Sequence, residues 1–433
     1  MRALRTAKYP IPSRARNKAK RQQTSSMNPT TSQVDFSGRN SSSELAKTAT
    51  LKLLAYCQSR DWAGIDPYDA LNSRIFQALP VLDRYAPRLI LTQVLKRSIF
   101  NIRPFLAIPS TQNPKALGLF IQALLRLSNL GIPTSPSLLG DIFKNLESLR
   151  SPNTSYWCWG YSFPWQTRTL LVPRWSPNLV CTTFVADALL DAYEQTSEAR
   201  FLEMAASSAK FIMEHLYWTN GESVAGFAYP LPSMKNNVHN GNFLGAALFC
   251  RVAKHTGDKT FLAPALKVAC YSASRQRDDG SWKYGESSNQ GWIDNFHTGY
   301  NLCALQTIGY VLGTDEFDSH LRRGFAFYRD HFFREDGAAK YFHDQTYPID
   351  IHCVAQSIIT LLSLKDLDPG NVQLAQKVFH WTMDHMWDER GFFYYRVLRS
   401  CTIRTSYMRW SQAWMFLAMS MLLGAEGVAS KNR

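Results

Sequence analysis

A chain of 433 residues, 45% hydrophobic and 13% aromatic, carries enough apolar material for one large core, which excludes a disordered or fibrous protein. Its formal charge of +14 is uneven: residues 1–34 hold eight Lys or Arg and no acid, leaving +6 for the rest, so a nucleic-acid partner is not implied by the folded body. The most apolar helical stretch, Trp414 to Leu423, is too short to span a bilayer and reads as a core helix, which argues against stable membrane insertion.

Residues 1–43 are basic and rich in Ser, Thr, Asn, Gln and Pro, a composition that predicts a disordered tail ahead of a single domain over 44–433. The tail is Arg-rich and acid-free like an organelle transit peptide, but no apolar run follows it as in a secretory signal. Eight cysteines stand singly, with no CxxC pair, which points to a reducing, cytoplasmic setting. From Glu44 to Leu79 the pattern suggests one helix pair. Arg84 to Phe100 and Ser137 to Leu149 read as amphipathic outer helices, and Lys115 to Leu127 and Pro177 to Tyr193 as apolar inner ones.

Downstream a repeat takes over. Gly221, Gly280, Gly337 and Gly391 fall 59, 57 and 54 residues apart, each followed closely by aromatics, as in DDGSWKYG and DERGFFYY. An amphipathic helix precedes each turn (198–216, 261–275, 318–332, 372–386), and a helix apolar on nearly every side follows it (240–255, 294–312, 350–364, 409–423). A helix apolar all round belongs to an inner layer and an amphipathic one to an outer layer. The expected fold is therefore all-α, an (α/α)6 toroid of six or seven hairpins with short aromatic β-segments at the turns. Solenoid repeats are shorter and lack such turns.

In a toroid the loops that enter the inner helices surround one mouth. Trp165, Gln166, Arg168, Arg174 and Asn178 lie on one entry, and Tyr229, Asn237, His239 and Asn240 on the next. Tyr284, Trp292, Asp294, Asn295 and His297 follow, then Tyr341, His343, Tyr347, Asp350 and His352, and finally Tyr395, Arg396, Tyr407, Arg409 and Gln412. Aromatics mixed with acids, amides and cations suit a sugar, whose C–H faces stack on rings while its hydroxyls take hydrogen bonds. Asn178 and Asn240 also read as helix caps, and Trp282, Tyr341 and Tyr394 as wedges between hairpins.

Asp294, with His297 and Asn301 on the same helix face, and Asp350, with His352 and Gln356, are the candidate catalytic clusters. A carboxylate at a helix N-terminus is favoured as the anion, hence as base, nucleophile or acceptor. Glycoside cleavage would need a second, protonated carboxyl. Proton abstraction beside a uronate carboxylate would instead use Arg168 or Arg409 to bind it and His297, His352 or Tyr284 as acid or base. No HExxH, Cys-rich zinc pattern, Walker loop or GxGxxG is present, so no metal or cofactor is expected.

The run QRDDGSW resembles the repeat of terpenoid cyclases, although no Asp-x-Asp-Asp motif and no clear prenyltransferase zinc triad accompanies it. A closer set, CWGYSFPWQTR, GSWKYG, WIDNFHTGYNL, KYFHDQTYPIDIHCVAQSI and YMRWSQAWMFLA, spans roughly Leu119 to Leu423. It resembles the VpsJ-like polysaccharide biosynthesis proteins, assigned to the six-hairpin glycosidase-like toroids. That resemblance implies a role in making or modifying an exopolysaccharide or capsule, with other polysaccharide-assembly proteins as candidate partners, and assigns no catalytic residue. The expectation is a hydrolase, lyase or epimerase acting on an oligo- or polysaccharide. The alternatives are a non-catalytic glycan-binding protein and a terpenoid-cyclase-like or prenyltransferase-like enzyme.

Overall fold

Helices that are apolar on every side have nowhere to go but the middle of a layered structure, and here they form its inner ring. The computed structural model describes residues 36–431. Most of the basic tail expected over 1–43 lies outside the described residues. The chain divides after Ser41, and the architecture below is that of the unit Ser42–Arg433.

In chain order the helices are α1 (Phe36–Gln58), the single turn α2 (Arg74–Gln77), α3 (Tyr85–Arg97), α4 (Pro114–Asn129), α5 (Pro136–Ser148), α6 (Leu179–Thr196), α7 (Ala199–Phe211), α8 (His239–Thr256), α9 (Leu262–Ala273), α10 (Asn295–Leu312), α11 (Asp318–Phe332), α12 (Ile351–Ser363), α13 (Asn371–Met386) and α14 (Trp414–Lys431). Packing runs α4, α6, α8, α10, α12, α14 and back to α4, a closed ring of six. Outside it lie α5, α7, α9, α11, α13 and α1, giving the (α/α)6 toroid. Four inner helices start on a side-chain cap: Asn113, Asn178, Asp294 and Asp350 each accept a first-turn N–H, at 3.1, 2.9, 3.0 and 2.9 Å. Asn240 does not cap. Helix α8 begins at His239 without a side-chain cap, which leaves Asn240 inside the first turn.

Three of the four glycine turns tie their hairpin to an outer helix, while a Cβ at Gly221 would meet nothing within 4 Å. Gly280 has φ +87°, and a Cβ there would lie 2.4 Å from the carbonyl oxygen of Arg323 in α11. Gly337 and Gly391 stand in the same way against Lys377 of α13 and Lys52 of α1. The last turn of the repeat thus docks on the first helix, and the outer ring closes as the inner one does. Trp282 fills the space above Gly324 of α11 and donates its Nε1–H to the Ser272 carbonyl at 3.0 Å, the wedge expected of it. The aromatic segments form short antiparallel ladders, such as Tyr217–Asn220 on Val224–Phe227 and Trp387–Asp388 on Phe392–Phe393.

Two expectations are corrected. Residues 44–79 supply one outer helix, α1, rather than a pair, and α3 is not in the outer ring. With the 3-10 turns Asp69–Asn72 and Pro104–Leu106, α3 belongs to a cap segment, residues 59–113. It has its own small core of Ala70, Leu95 and Ile108. The reason is that α3 has only a narrow buried stripe, Thr92 and Leu95, too little to seat it between two inner helices.

Candidate active site

The cap lies across the N-terminal ends of the inner helices. Tyr85 donates to the Arg168 carbonyl (2.6 Å), Arg174 donates to Asn72 (2.6 Å), and the Met408 N–H bonds to the Ile65 carbonyl (3.3 Å). Its charged groups finish the closure. Arg409, on a π turn (Met408–Ala413) that opens α14, makes two bonds to Asp66, at 2.7 and 2.8 Å, with both side chains 5% exposed. Arg103 donates to Asp69 (2.8 Å), to the Asp66 carbonyl (3.0 Å) and to the Tyr407 hydroxyl (2.8 Å). Beside Arg409 a cavity of about 10 Å³ remains, the size of one water.

Helix α10 opens on the second group of polar side chains. Asp294 Oδ1 caps the helix at the His297 N–H, while its Oδ2 accepts the Trp292 indole N–H at 2.9 Å and lies 2.7 Å from His297 Nδ1. The carboxylate therefore does three local jobs and is itself sealed, whereas the His297 side chain is 20% exposed. Holding Nδ1 on a carboxylate fixes the ring and leaves Nε2 as the edge that can exchange a proton. Tyr284 stacks on Trp292 at 4.4 Å and lies 4.6 Å from His297, centroid to centroid. The exposed Arg168 holds its guanidinium 5.6 Å from the Trp292 ring. Trp165 and Tyr341 are half-buried and Tyr347 is exposed.

Behind the rim the groups are spoken for. Asp350 accepts from the His352 N–H, from Trp410 Nε1 at 2.8 Å and from Arg396 Nε, with no exposed side-chain surface. His352 Nε2 meets the Tyr300 hydroxyl at 2.6 Å, and its Nδ1 finds no partner among the described residues. Burial, then the neighbouring Lys115, pushes the His352 imidazole well below its ordinary value, and burial pushes Tyr300 well above. A neutral His352 accepting the tyrosine proton at Nε2 carries its own proton on Nδ1.

Asn295 bonds to Ser357 (3.0 Å) and Tyr328 (2.9 Å), tying α10 to its neighbours. Gln412 clasps both backbone groups of Phe393 at 2.9 and 2.8 Å. His239 lies 3.3 Å from Ser272. Gln166 donates to the Thr167 carbonyl (2.9 Å) while its Oε1, like Asn240 Oδ1 and Asn301 Oδ1, has no partner among the described residues. The structure thus brings Arg168, Tyr284, Trp292, Asp294 and His297 together, and buries Asp350, His352, His239, Tyr407, Arg409 and Gln412 within protein contacts.

Sequence reading missed Asp66, Asp69, Arg103, Lys115, Tyr300 and Trp410. Lys115 is 3% exposed, with its ammonium 4.0, 5.1 and 5.6 Å from the centroids of Phe184, Trp414 and Tyr300. Burial, reinforced by Arg409, pushes it well below the usual lysine range. Its signal was a lone charge in the apolar run PKALGLF. No sequence pattern marks Asp66 or Arg103. Among the described residues no cluster of His, Cys, Asp and Glu could hold a metal ion.

No family model and no curated protein matches the chain. Solved structures do. The cellobiose 2-epimerase of Spirochaeta thermophila superposes with a TM-score of 0.56 at 14% identity, over 74% of this chain and 87% of that one. A family 76 glycoside hydrolase α-mannanase of Bacteroides thetaiotaomicron gives 0.53 at 14%, over 73% and 86%. A possible member of glycoside hydrolase family 105 from Salmonella enterica gives 0.53 at 12%, over 74% and 86%. At such identities the likeness establishes the (α/α)6 fold.

Proposed function

We propose that the protein is a carbohydrate-active enzyme of epimerase or lyase type, in which His297 moves a proton at a sugar carbon and Asp294 positions it. The observation that carries this is the 2.7 Å contact between His297 Nδ1 and a sealed carboxylate, with the ring beside the Tyr284–Trp292 stack. Those stacked rings offer the apolar face on which a sugar ring rests. Of the two cations put forward to bind a carboxylate, Arg168 has no acidic partner among the described residues, whereas Arg409 already holds Asp66. A uronate carboxylate beside the acidic carbon would therefore fall to Arg168, and binding there would make the C–H more acidic.

Hydrolysis by two carboxyl groups is the weaker reading. It requires one carboxyl protonated and both within reach of the glycosidic oxygen, yet the Asp294 and Asp350 side chains expose no surface and their oxygens are engaged. The setting we infer is the synthesis or modification of an exopolysaccharide or capsule, supported by the five motifs quoted above. A glycan-binding module is the second reading, favoured by the engagement of both candidate carboxylates, Asp294 and Asp350, in contacts within the protein.

The test is solvent exchange. The purified chain, incubated in D2O with uronate-containing and neutral oligosaccharides, should place deuterium at the reacting carbon or form an unsaturated product, followed by NMR and mass spectrometry. His297→Asn should abolish that activity by a factor of at least about 100 while leaving sugar affinity within a few fold. Cleavage that gives saturated products, with neither deuterium uptake nor a new double bond, would overturn the proton-transfer chemistry. Binding unaltered in the variant, with no turnover by the native protein, would favour the module.

A further inference from the structure

The cap has an outer surface that the candidate site does not use. Of fourteen large apolar side chains exposed among the described residues, nine lie between Ile75 and Phe105. Val81 is 70% exposed, Ile90 62%, Phe100 78% and Phe105 82%. Scattered exposed apolar residues need no explanation, but such a concentration marks an interaction surface. On α3 the exposed Ile90 and Val94 and then Arg97 follow at helical spacing on one face, while Leu95 and Thr92 face the small core. The 3-10 turn carrying Phe105 packs on the single turn α2, which carries Ile75. The apolar residues therefore belong to one packed subassembly.

Charge decides what this surface fits. Between Arg74 and Phe105 the chain has six Lys or Arg and one acid, Asp83. Arg88 pairs with that acid at 3.0 Å and Arg103 is consumed inside the cap. Arg74, Arg84 and Arg97 are exposed, without an acidic partner among the described residues. A two-fold contact between copies would bring this positive surface against itself. An exposed apolar stripe flanked by arginines matches a membrane interface with anionic lipid headgroups, where rings and aliphatic chains enter the acyl boundary and guanidinium groups meet phosphates. No helix among the described residues is long and apolar enough to cross a membrane, so the contact would be peripheral.

We propose that the cap, residues 74–105, docks the protein on an anionic lipid surface, bringing the mouth of the toroid to a substrate held at a membrane. The proposal stands apart from the proton-transfer chemistry because its readout is vesicle binding.

The experiment uses the full chain, basic tail included, with vesicles of phosphatidylcholine alone or with one-third phosphatidylglycerol. Native protein should sediment with the anionic vesicles and leave neutral ones largely unbound. Phe100→Trp adds a reporter at a residue 78% exposed, and its difference emission against the native protein, which holds twelve Trp, should shift to the blue on those vesicles. The triple variant Ile90→Asp/Phe100→Asp/Phe105→Asp, checked for native circular dichroism, should lose at least about tenfold in partition. Equal binding by the triple variant would assign the affinity to the tail and overturn the proposal, as would an unshifted reporter. A native dimer that the triple variant dissociates, with no vesicle binding by either, would overturn it in favour of a contact between copies.

Discussion

At the level of single residues the protein spends its buried charges on locking loops rather than on a visible catalytic pair. Arg409 and Asp66 are both nearly sealed, so removing one leaves the other uncompensated in a poor solvent for ions. Arg409→Leu should cost about 3–5 kcal/mol, read from chemical denaturation, and Asp66→Leu/Arg409→Met should recover most of the loss. His239 gives a pH signature. Burial pushes its imidazole down to about 4 from an ordinary 6.5, with Glu286 opposing the shift and Arg275 reinforcing it. Between those values the unfolded chain takes up a proton that the folded one refuses. Stability is therefore full above pH 6.5 and lost as the pH falls toward 4, by about 3 kcal/mol for this residue. Urea midpoints across that range should fall in the native protein, and the slope should flatten in His239→Gln. The Asp294 and His297 pairing was legible from their i, i+3 spacing at the head of an apolar helix. The fate of Arg409 was not, because its partner lies 343 residues away.

Among the elements, the repeat was readable because each hairpin must satisfy the same geometry: an apolar helix inside, an amphipathic one outside and a tight turn between them. Gly280 shows how strict that turn is. Its left-handed φ and the backbone of Arg323 at 2.4 Å from a would-be Cβ leave no relaxed position for a side chain. Gly280→Ala should cost about 1–3 kcal/mol in thermal or urea unfolding, with little change in the spectrum of the folded state. Helix α3 failed the same reading for a physical reason. Amphipathicity shows that a helix packs on something, and it does not distinguish a ring of helices from a small satellite core. The exposed Ile90 and Val94 beside the buried Leu95 were the sign that only one narrow stripe is used.

For the whole molecule, the seam between α14 and α4 joins the ends of the ring. Phe416 and Phe120 meet across it with centroids 5.9 Å apart. A cavity there should be felt throughout, because every inner helix leans on two others. Phe416→Ala is expected to cost about 3–5 kcal/mol and to lower the melting temperature of a single cooperative transition. Calorimetry that resolved separate N-terminal and C-terminal transitions would contradict a ring that folds as one body.

Composition, the glycine period and the two classes of helix determined the toroid from sequence, since burial leaves a periodic trace wherever one structural unit is repeated. They also singled out the loops that enter the inner helices as the place where aromatics and polar groups gather. Only the tertiary structure decided which mouth residues remain reachable, because that depends on the cap, a non-repeating segment whose acids find their arginines across the length of the chain. Hydrogen bonds and ion pairs of that kind follow from where the backbone finally closes, and a local pattern of residue types carries no record of them.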